Sequence, residues 1–388
     1  MFFSSRLPKS LEINDFTKIL EEKKTTGVRI LDLTQANPPA AGFTFASLIT
    51  LPHCPEPANR YEPSAQGMPA TRQAIKDYYQ NNGHGSIDRD DLFLTASTSE
   101  AYSFLLKLLT DPGDEILIPA PSYPLFDFLA TLENVRPSRY MLREDNAGHW
   151  RIDFASLEQE ISRQTRAIVV VNPNNPTGSY ITAAELQKLS ELCQPHDIAL
   201  IIDEVFLDYA NPGGQVKPLS SVTNKDALTF TLSGFSKVLA LPQVKLSWIH
   251  VGGPELNKRM AKERLEFIAD TYLSVNSMIQ EAAASLFSCQ QSIQREILER
   301  IRANESLLLS QMGGNSLLRE GGWYAIINLP ATFNDEQCCL DLLRESSLIV
   351  HPGFFYDFEE SNRIVVSLIT PEEAFRQGLL LLRAYLKA

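Results

Sequence analysis

The sequence predicts an α/β protein: a mostly parallel sheet with helices on both sides, followed by a smaller α+β region. Two observations carry this expectation. From about residue 90 to residue 252, short apolar runs alternate with helical patterns. Several of those runs are unbroken, as expected for strands covered on both faces. Beyond Gly253 the texture changes to long helical stretches and then a mixed segment. At 388 residues the chain is also too long for one ordinary core, which points to about two domains.

Taken in order, the strand candidates are Leu92–Thr95, Glu115–Ile118, Ala167–Val171, Ala199–Ile202, Leu228–Thr231 and Trp248–Val251. Between them, Ala101–Leu109 and Ala183–Cys193 have helical spacing, and Asp111-Pro112-Gly113-Asp114 stops the first of these. A helical stretch follows from about Pro254 to Met312, with breaks expected near Ser274 and Ser288. Trp323–Asn328 and Arg363–Leu368 then read as strands, Asp335–Glu345 as a helix, and a last helix starts from Pro371. The expected division is a large domain over 46–280 and a small one from 1–45, with an N-terminal arm, together with 281–388.

Hydrophobic content of 44% and charged content of 21% describe a soluble globular chain. Its net charge of −12 argues against nucleic acid or an anionic membrane as the main partner. The five cysteines (Cys54, Cys193, Cys289, Cys338 and Cys339) are odd in number and lack C-x-x-C spacing. Reduced thiols in the cytoplasm are the expectation, with no disulfide frame and no zinc site. The histidines include no H-E-x-x-H string, so no metal site is expected. Met1 to Pro8 does not read as a signal peptide, and no stretch approaches the roughly 18 apolar residues of a membrane span.

The residues with chemical meaning cluster around Lys237, in Ser233-Gly234-Phe235-Ser236-Lys237. A lysine carries an aldehyde cofactor well once burial or neighbouring cations lower its pKa. Following a strand and a Ser-Gly turn, Lys237 should project from the carboxyl edge of the sheet, where α/β proteins bind ligands. On local sequence alone, a surface lysine in a loop fits equally well. Asp203 shifts that balance. It ends an apolar strand, and a buried acid needs a partner. A protonated pyridine nitrogen suits it, because the ion pair keeps the ring able to accept electrons.

Asn175, in Asn172-Pro173-Asn174-Asn175-Pro176-Thr177-Gly178, follows a strand on a turn stiffened by proline, where its amide can donate to a phenolate oxygen. Ser97, Thr98 and Ser99 lie between a strand and a helix expected from about Glu100. Such an N-terminus offers backbone N–H groups, hydroxyls and a dipole to a phosphate, with plain helix capping as the competing use. Lys245 would add positive charge there. Tyr123, in Pro121-Ser122-Tyr123-Pro124, is placed to stack on a flat ring or to serve as a core aromatic. An amine, a buried acid, an amide and a cationic phosphate site are the parts that pyridoxal phosphate (PLP) requires.

Together these strings resemble the fold-type I PLP enzymes, specifically the class I/II aminotransferases. Also contributing are Tyr61 to Arg72 with Gly67 between them, Asp203-Glu204-Val205, and the late Pro352-Gly353 with Arg363. The resemblance covers nearly the whole chain. It implies an aspartate aminotransferase-like fold with a seven-stranded, mostly parallel sheet. It also implies an enzyme moving an amino group between an L-amino acid and a 2-oxo acid. By the same resemblance Lys237 binds the cofactor covalently and shuttles the proton, and Asp203 pairs with the ring nitrogen. Asn175 binds the ring oxygen, Tyr123 stacks, and Ser97, Thr98, Ser99 and Lys245 hold the phosphate. Tyr61 would reach the phosphate of a neighbouring subunit, which implies a homodimer. Arg363 would clamp the substrate α-carboxylate, a task suited to a planar bidentate donor. Ala36 and Asn175 would lie against the substrate.

Four departures from the family pattern stand out. Phe206 occupies the place of a tyrosine that donates to the ring oxygen, and Lys245 that of an arginine on the phosphate. Gln243 and Gly234 replace a glycine and a serine, and Ala36-Asn37-Pro38 replaces a Gly-x-Pro element. Phe206 keeps open a second reading, a PLP-dependent C–S β-lyase or another eliminating or decarboxylating relative. A regulatory protein on the same scaffold would need a basic DNA-binding module, and the first 40 or so residues lack a helix-turn-helix pattern.

Overall fold

The computed structural model describes residues 4–8, 12–45, 63–211, 213–214 and 216–387. Its strands, in chain order, are β1 (Leu31–Asp32), β2 (Leu92–Thr95), β3 (Glu115–Ala120), β4 (Arg136–Glu144), β5 (Trp150–Ile152), β6 (Thr165–Val171) and β7 (Ala199–Asp203). They continue as β8 (Thr229–Gly234), β9 (Ser247–Gly252), β10 (Tyr324–Asn328), β11 (Leu348–Ile349), β12 (His351–Pro352) and β13 (Arg363–Ser367). The central sheet runs β2-β9-β8-β7-β6-β3-β4-β5. β4, β3, β6, β7 and β8 are mutually parallel, while β9 is antiparallel to its neighbours β8 and β2. The fold is the expected α/β class with a mostly parallel central sheet.

The sheet has eight strands against the seven implied by the resemblance, because β5 adds an antiparallel edge to β4. Neither β4 nor β5 was legible beforehand. β4, Arg136-Pro137-Ser138-Arg139-Tyr140-Met141-Leu142-Arg143-Glu144, fully buries only Tyr140 and Leu142, and β5 is three residues long.

The central strands are buried along their length because both faces are covered, and β3, β6 and β7 are largely apolar. Along β6, Ala167, Val169 and Val171 enter one core with Phe104 and Leu105 of the helix Thr98–Leu109, while Ile168 and Val170 enter the opposite core with Leu186 and Leu189 of the helix Ala183–Cys193. β7 alternates in the same way, Ala199 and Ile201 against Leu200 and Ile202. That parity carries Asp203 to the face of Ile201 and the helix Thr98–Leu109, whose Tyr102 shares that core.

The helical stretch after Gly253 is broken as expected. Helices span Glu255–Tyr272, Ser277–Ser288 and Gln290–Met312; the first ends on Leu273 in a left-handed conformation, and Asn276 caps the second. Beyond them, β10-β13-β12 form a three-stranded sheet, and β1 pairs in parallel with β11. The N-terminal segment is thereby tied to the C-terminal part, with Ser367 N donating to Leu33 O at 2.6 Å and Ser367 Oγ to Gln35 O at 2.6 Å. No helix among the described residues is long and apolar enough to cross a membrane. Cys193, Cys338 and Cys339 are buried free thiols; Cys54 lies outside the described residues.

Candidate active site

Because β2, β3, β6, β7 and β8 run in one direction, their carboxyl ends share one edge of the sheet, and the segments leaving them meet there. A cavity of about 330 Å³ opens at this edge, lined by Ala36, Ser97, Thr98, Ser99, Tyr123, Asn175, Asp203, Lys237 and Lys245 among others. Tyr61 lies outside the described residues.

Lys237 rides a single helical turn, Phe235–Val238, directly after β8. The loop beyond folds back onto that turn: Leu241 N donates to Phe235 O at 3.0 Å, and Phe235 N donates to Leu246 O at 2.9 Å. Lys245 is thus returned to the cavity, with a left-handed φ of 59°. Gly234 has an extended φ, and the space a Cβ would need is taken by Ser247, whose Oγ would lie 2.2 Å away. The glycine that departs from the family pattern is therefore matched to a serine on the adjacent strand.

The Lys237 amine lies over two rings, 4.8 Å from the centroid of Trp323 and 5.4 Å from that of Phe206. Burial against them lowers its pKa to about 8, partly opposed by the Asp203 charge. Asp203 is buried in turn, and desolvation raises its carboxyl to about 6 despite hydrogen bonds from Val205 N (3.1 Å) and Tyr102 Oη (3.2 Å) and the nearby lysine. Amine and acid are each displaced toward neutrality, as expected for groups that have lost water and await a charged partner. Glu204 faces away and accepts from Ser220 Oγ and Ser221 N, both at 2.6 Å.

Asn174 joins the two loops that carry Asn175 and Tyr123. Its Nδ2 donates to Pro121 O at 3.0 Å, and its Oδ1 accepts from Ser122 Oγ at 3.2 Å. Asn175 Oδ1 is buried without a hydrogen-bond partner among the described residues, an orphan that an incoming polar group would satisfy. The helix expected from about Glu100 begins at Thr98, so Ser97 is its cap and accepts from Glu100 N at 3.1 Å. Thr98 and Ser99 occupy its first turn, where backbone N–H groups have no partner within the helix. From the Tyr61 to Arg72 string, Arg72 is structural: it donates to Gly67 O and Arg89 O and pairs with Asp90.

Arg363, which the resemblance assigns to the substrate α-carboxylate, opens β13 and is buried. It borders a separate cavity near Trp150 and Glu144. In the register of β10 with β13, Ser367 pairs with Tyr324, which borders the main cavity, and Arg363 pairs with Asn328. Its Nη1 is buried without a hydrogen-bond partner among the described residues. There its guanidinium packs 5.0 Å from Trp150 and 5.1 Å from Phe358, facing Glu144 and Glu360.

Sequence reading missed Trp323 and Tyr324 as site residues. Both lie in a run read simply as strand, and no local signal separates a strand aromatic facing a core from one facing a ligand.

The donor set fits PLP: an amine of lowered pKa, a buried acid, an orphaned amide and a helix N-terminus beside a lysine. Fold and site together define a PLP-dependent enzyme. The family model for aminotransferase class I and II matches residues 55–376. A glutamate-pyruvate aminotransferase of Haemophilus influenzae is 31% identical over 364 residues, 89% of this chain and 87% of its own. An alanine aminotransferase of Mycobacterium tuberculosis is 30% identical over 343 residues, 84% of this chain and 78% of its own. The solved alanine aminotransferase from Pyrococcus furiosus has the same fold, with a TM-score of 0.86 at 23% identity and 100% of both chains covered. The chain belongs to the class I and II aminotransferase family and is a PLP-dependent transaminase acting on amino acids and 2-oxo acids. These relatives do not favour the eliminating alternative that Phe206 had kept open.

Proposed function

We propose that alanine and pyruvate form one substrate pair of this transaminase. Supporting this are the names of relatives at about 30% identity and the cavity itself. Its cationic lining among the described residues is Lys237 and Lys245 alone, and its remaining wall includes Val205, Phe206, Leu241, Pro242 and Leu246. A small neutral side chain suits that wall better than a second carboxylate.

When bound, PLP supplies an electron-accepting ring and an aldehyde carbon to which amines attach. Lys237 would hold that carbon through Nζ, and its amine, whose pKa burial lowers to about 8, would serve as base and acid for the substrate's α-proton. Asp203 would keep the pyridine nitrogen protonated, Asn175 would donate to the ring oxygen, and Tyr123 would stack on the ring. Ser97, Thr98, Ser99 and Lys245 would hold the phosphate, Arg363 would clamp the substrate α-carboxylate, Ala36 would lie against the substrate, and Tyr61 would reach the phosphate of a second copy in a cytoplasmic homodimer. The large domain in this reading spans 46–280, and the small one joins 1–45 to 281–388.

Exposing the loaded enzyme to each of the twenty amino acids and following the cofactor's absorbance tests the substrate assignment. Alanine should be among the fastest to discharge the lysine-bound band. A response to aspartate and glutamate with none to alanine overturns it.

A further inference from the structure

Among the described residues the Lys237 amine makes no hydrogen bond or ion pair; it meets two rings, Trp323 at 4.8 Å and Phe206 at 5.4 Å from their centroids. Trp323 is fully buried and held from several sides. Its ring stands edge-on to Phe206 and to Tyr209, with centroids 5.2 and 5.0 Å away and planes at 68° and 74°. Its carbonyl accepts from Leu368 N at 2.7 Å, and Tyr209 Oη donates to Lys237 O at 2.7 Å. One tyrosine thus fastens both the lysine's backbone and the ring that faces its amine. Yet the Trp323 Nε1 is buried without a hydrogen-bond partner among the described residues, a cost that a phenylalanine there would not incur. What the indole adds over a phenylalanine is its broad electron-rich face, the best of any side chain for a cation.

We propose that the face of the Trp323 indole, flanked by Phe206, is the resting place of the Lys237 ammonium whenever that amine is not joined to the cofactor. Trp323 is then a positioning residue for attachment and release of the lysine. Phe206 has no hydroxyl with which to hold the amine by a hydrogen bond, so the two rings do so through their π faces. The charged and titratable groups that share the cavity with the amine are Asp203, which favours its charge, Lys245, Tyr123 and Tyr324. A change confined to the electrons of the indole leaves all four in place, so the ring's share can be read by itself.

This inference rests on Lys237 carrying the cofactor, which Lys237→Ala decides separately through loss of the lysine-bound band. The test places monofluoro- or tetrafluorotryptophan in the chain at Trp323 alone, because fluorine weakens the ring's negative face while nearly preserving its shape. Attachment of cofactor to cofactor-free enzyme is then followed against pH. Its midpoint should fall with each fluorination step, by about half a unit to one unit for the tetrafluoro ring, since a poorer face favours the ammonium less. An indole that only fills space or excludes water leaves the midpoint where it was. That result, or a rise, overturns the proposal. A second readout uses the protein without cofactor. The fluorescence of Trp323, taken as the difference between wild type and Trp323→Phe, should change through the same midpoint as the amine loses its charge. Emission that stays flat across that midpoint overturns the proposal as well.

Discussion

Asp203 closes β7 in register with Leu232 of β8, and Lys237 sits on the helical turn just past that neighbouring strand. Two adjacent parallel strands thus deliver an acid and an amine to one edge, and each alters the other's protonation. The site follows from strand order as much as from the residues themselves.

Lys237→Ala should abolish the visible band of the lysine-bound cofactor and reduce transfer by several orders of magnitude. Absorbance of the purified protein and an alanine-dependent assay measure the two effects. Because the side chain lies in a cavity and makes no buried salt bridge among the described residues, the melting temperature should fall little. A variant that keeps the band sinks the assignment.

Attachment of cofactor to cofactor-free enzyme should quicken as pH rises through about 8, where the buried amine loses its proton, and not near 10 as for an ordinary lysine. The sign of the Asp203 effect is fixed: its negative charge favours the ammonium and raises the lysine's pKa. Asp203→Asn should therefore move the midpoint below 8, while weakening turnover through loss of the ring's counter-charge. Stopped-flow attachment rates against pH measure it, and an upward move contradicts the geometry.

Gly234→Ala should destabilise the protein by about 1–3 kcal/mol and loosen cofactor binding, because the new Cβ would lie 2.2 Å from Ser247 Oγ. Adding Ser247→Gly removes that clash and should recover most of the loss. Thermal unfolding of the single and double variants checks the coupling; simple additivity would show that the two positions do not share this space.

Arg363→Ala should lower stability by about 1–3 kcal/mol through loss of its packing on Trp150 and Phe358 and the exposure of Glu144 and Glu360 to mutual repulsion. Its KM for amino acids should rise about tenfold or more, through loss of a charged donor to the α-carboxylate. A KM within about twofold of wild type, with lowered melting alone, would leave the arginine a purely structural part.

Much of this site was written locally. Asp203 ends a buried strand, Lys237, Asn175, Tyr123 and the Ser97–Ser99 segment each follow one, and strands buried on both faces are conspicuous in sequence. Parallel strand direction then brings their trailing residues to one edge, so order along the chain was enough to anticipate the cavity.

The remainder depended on pairing between distant segments. β4 and β5 were invisible because a half-exposed edge carries little apolar signal. The match of Gly234 to Ser247 exists only through the antiparallel register of β8 and β9. Arg363 was assigned by its neighbours in sequence, yet the register of β10 with β13 decides how far along the strand it lies. That same register brings Tyr324 to the cavity. Residue type and local periodicity fix which side chains can do chemistry; a side chain's distance from the ligand is set by hydrogen-bonded partners far away in the chain, and only the folded molecule reveals them.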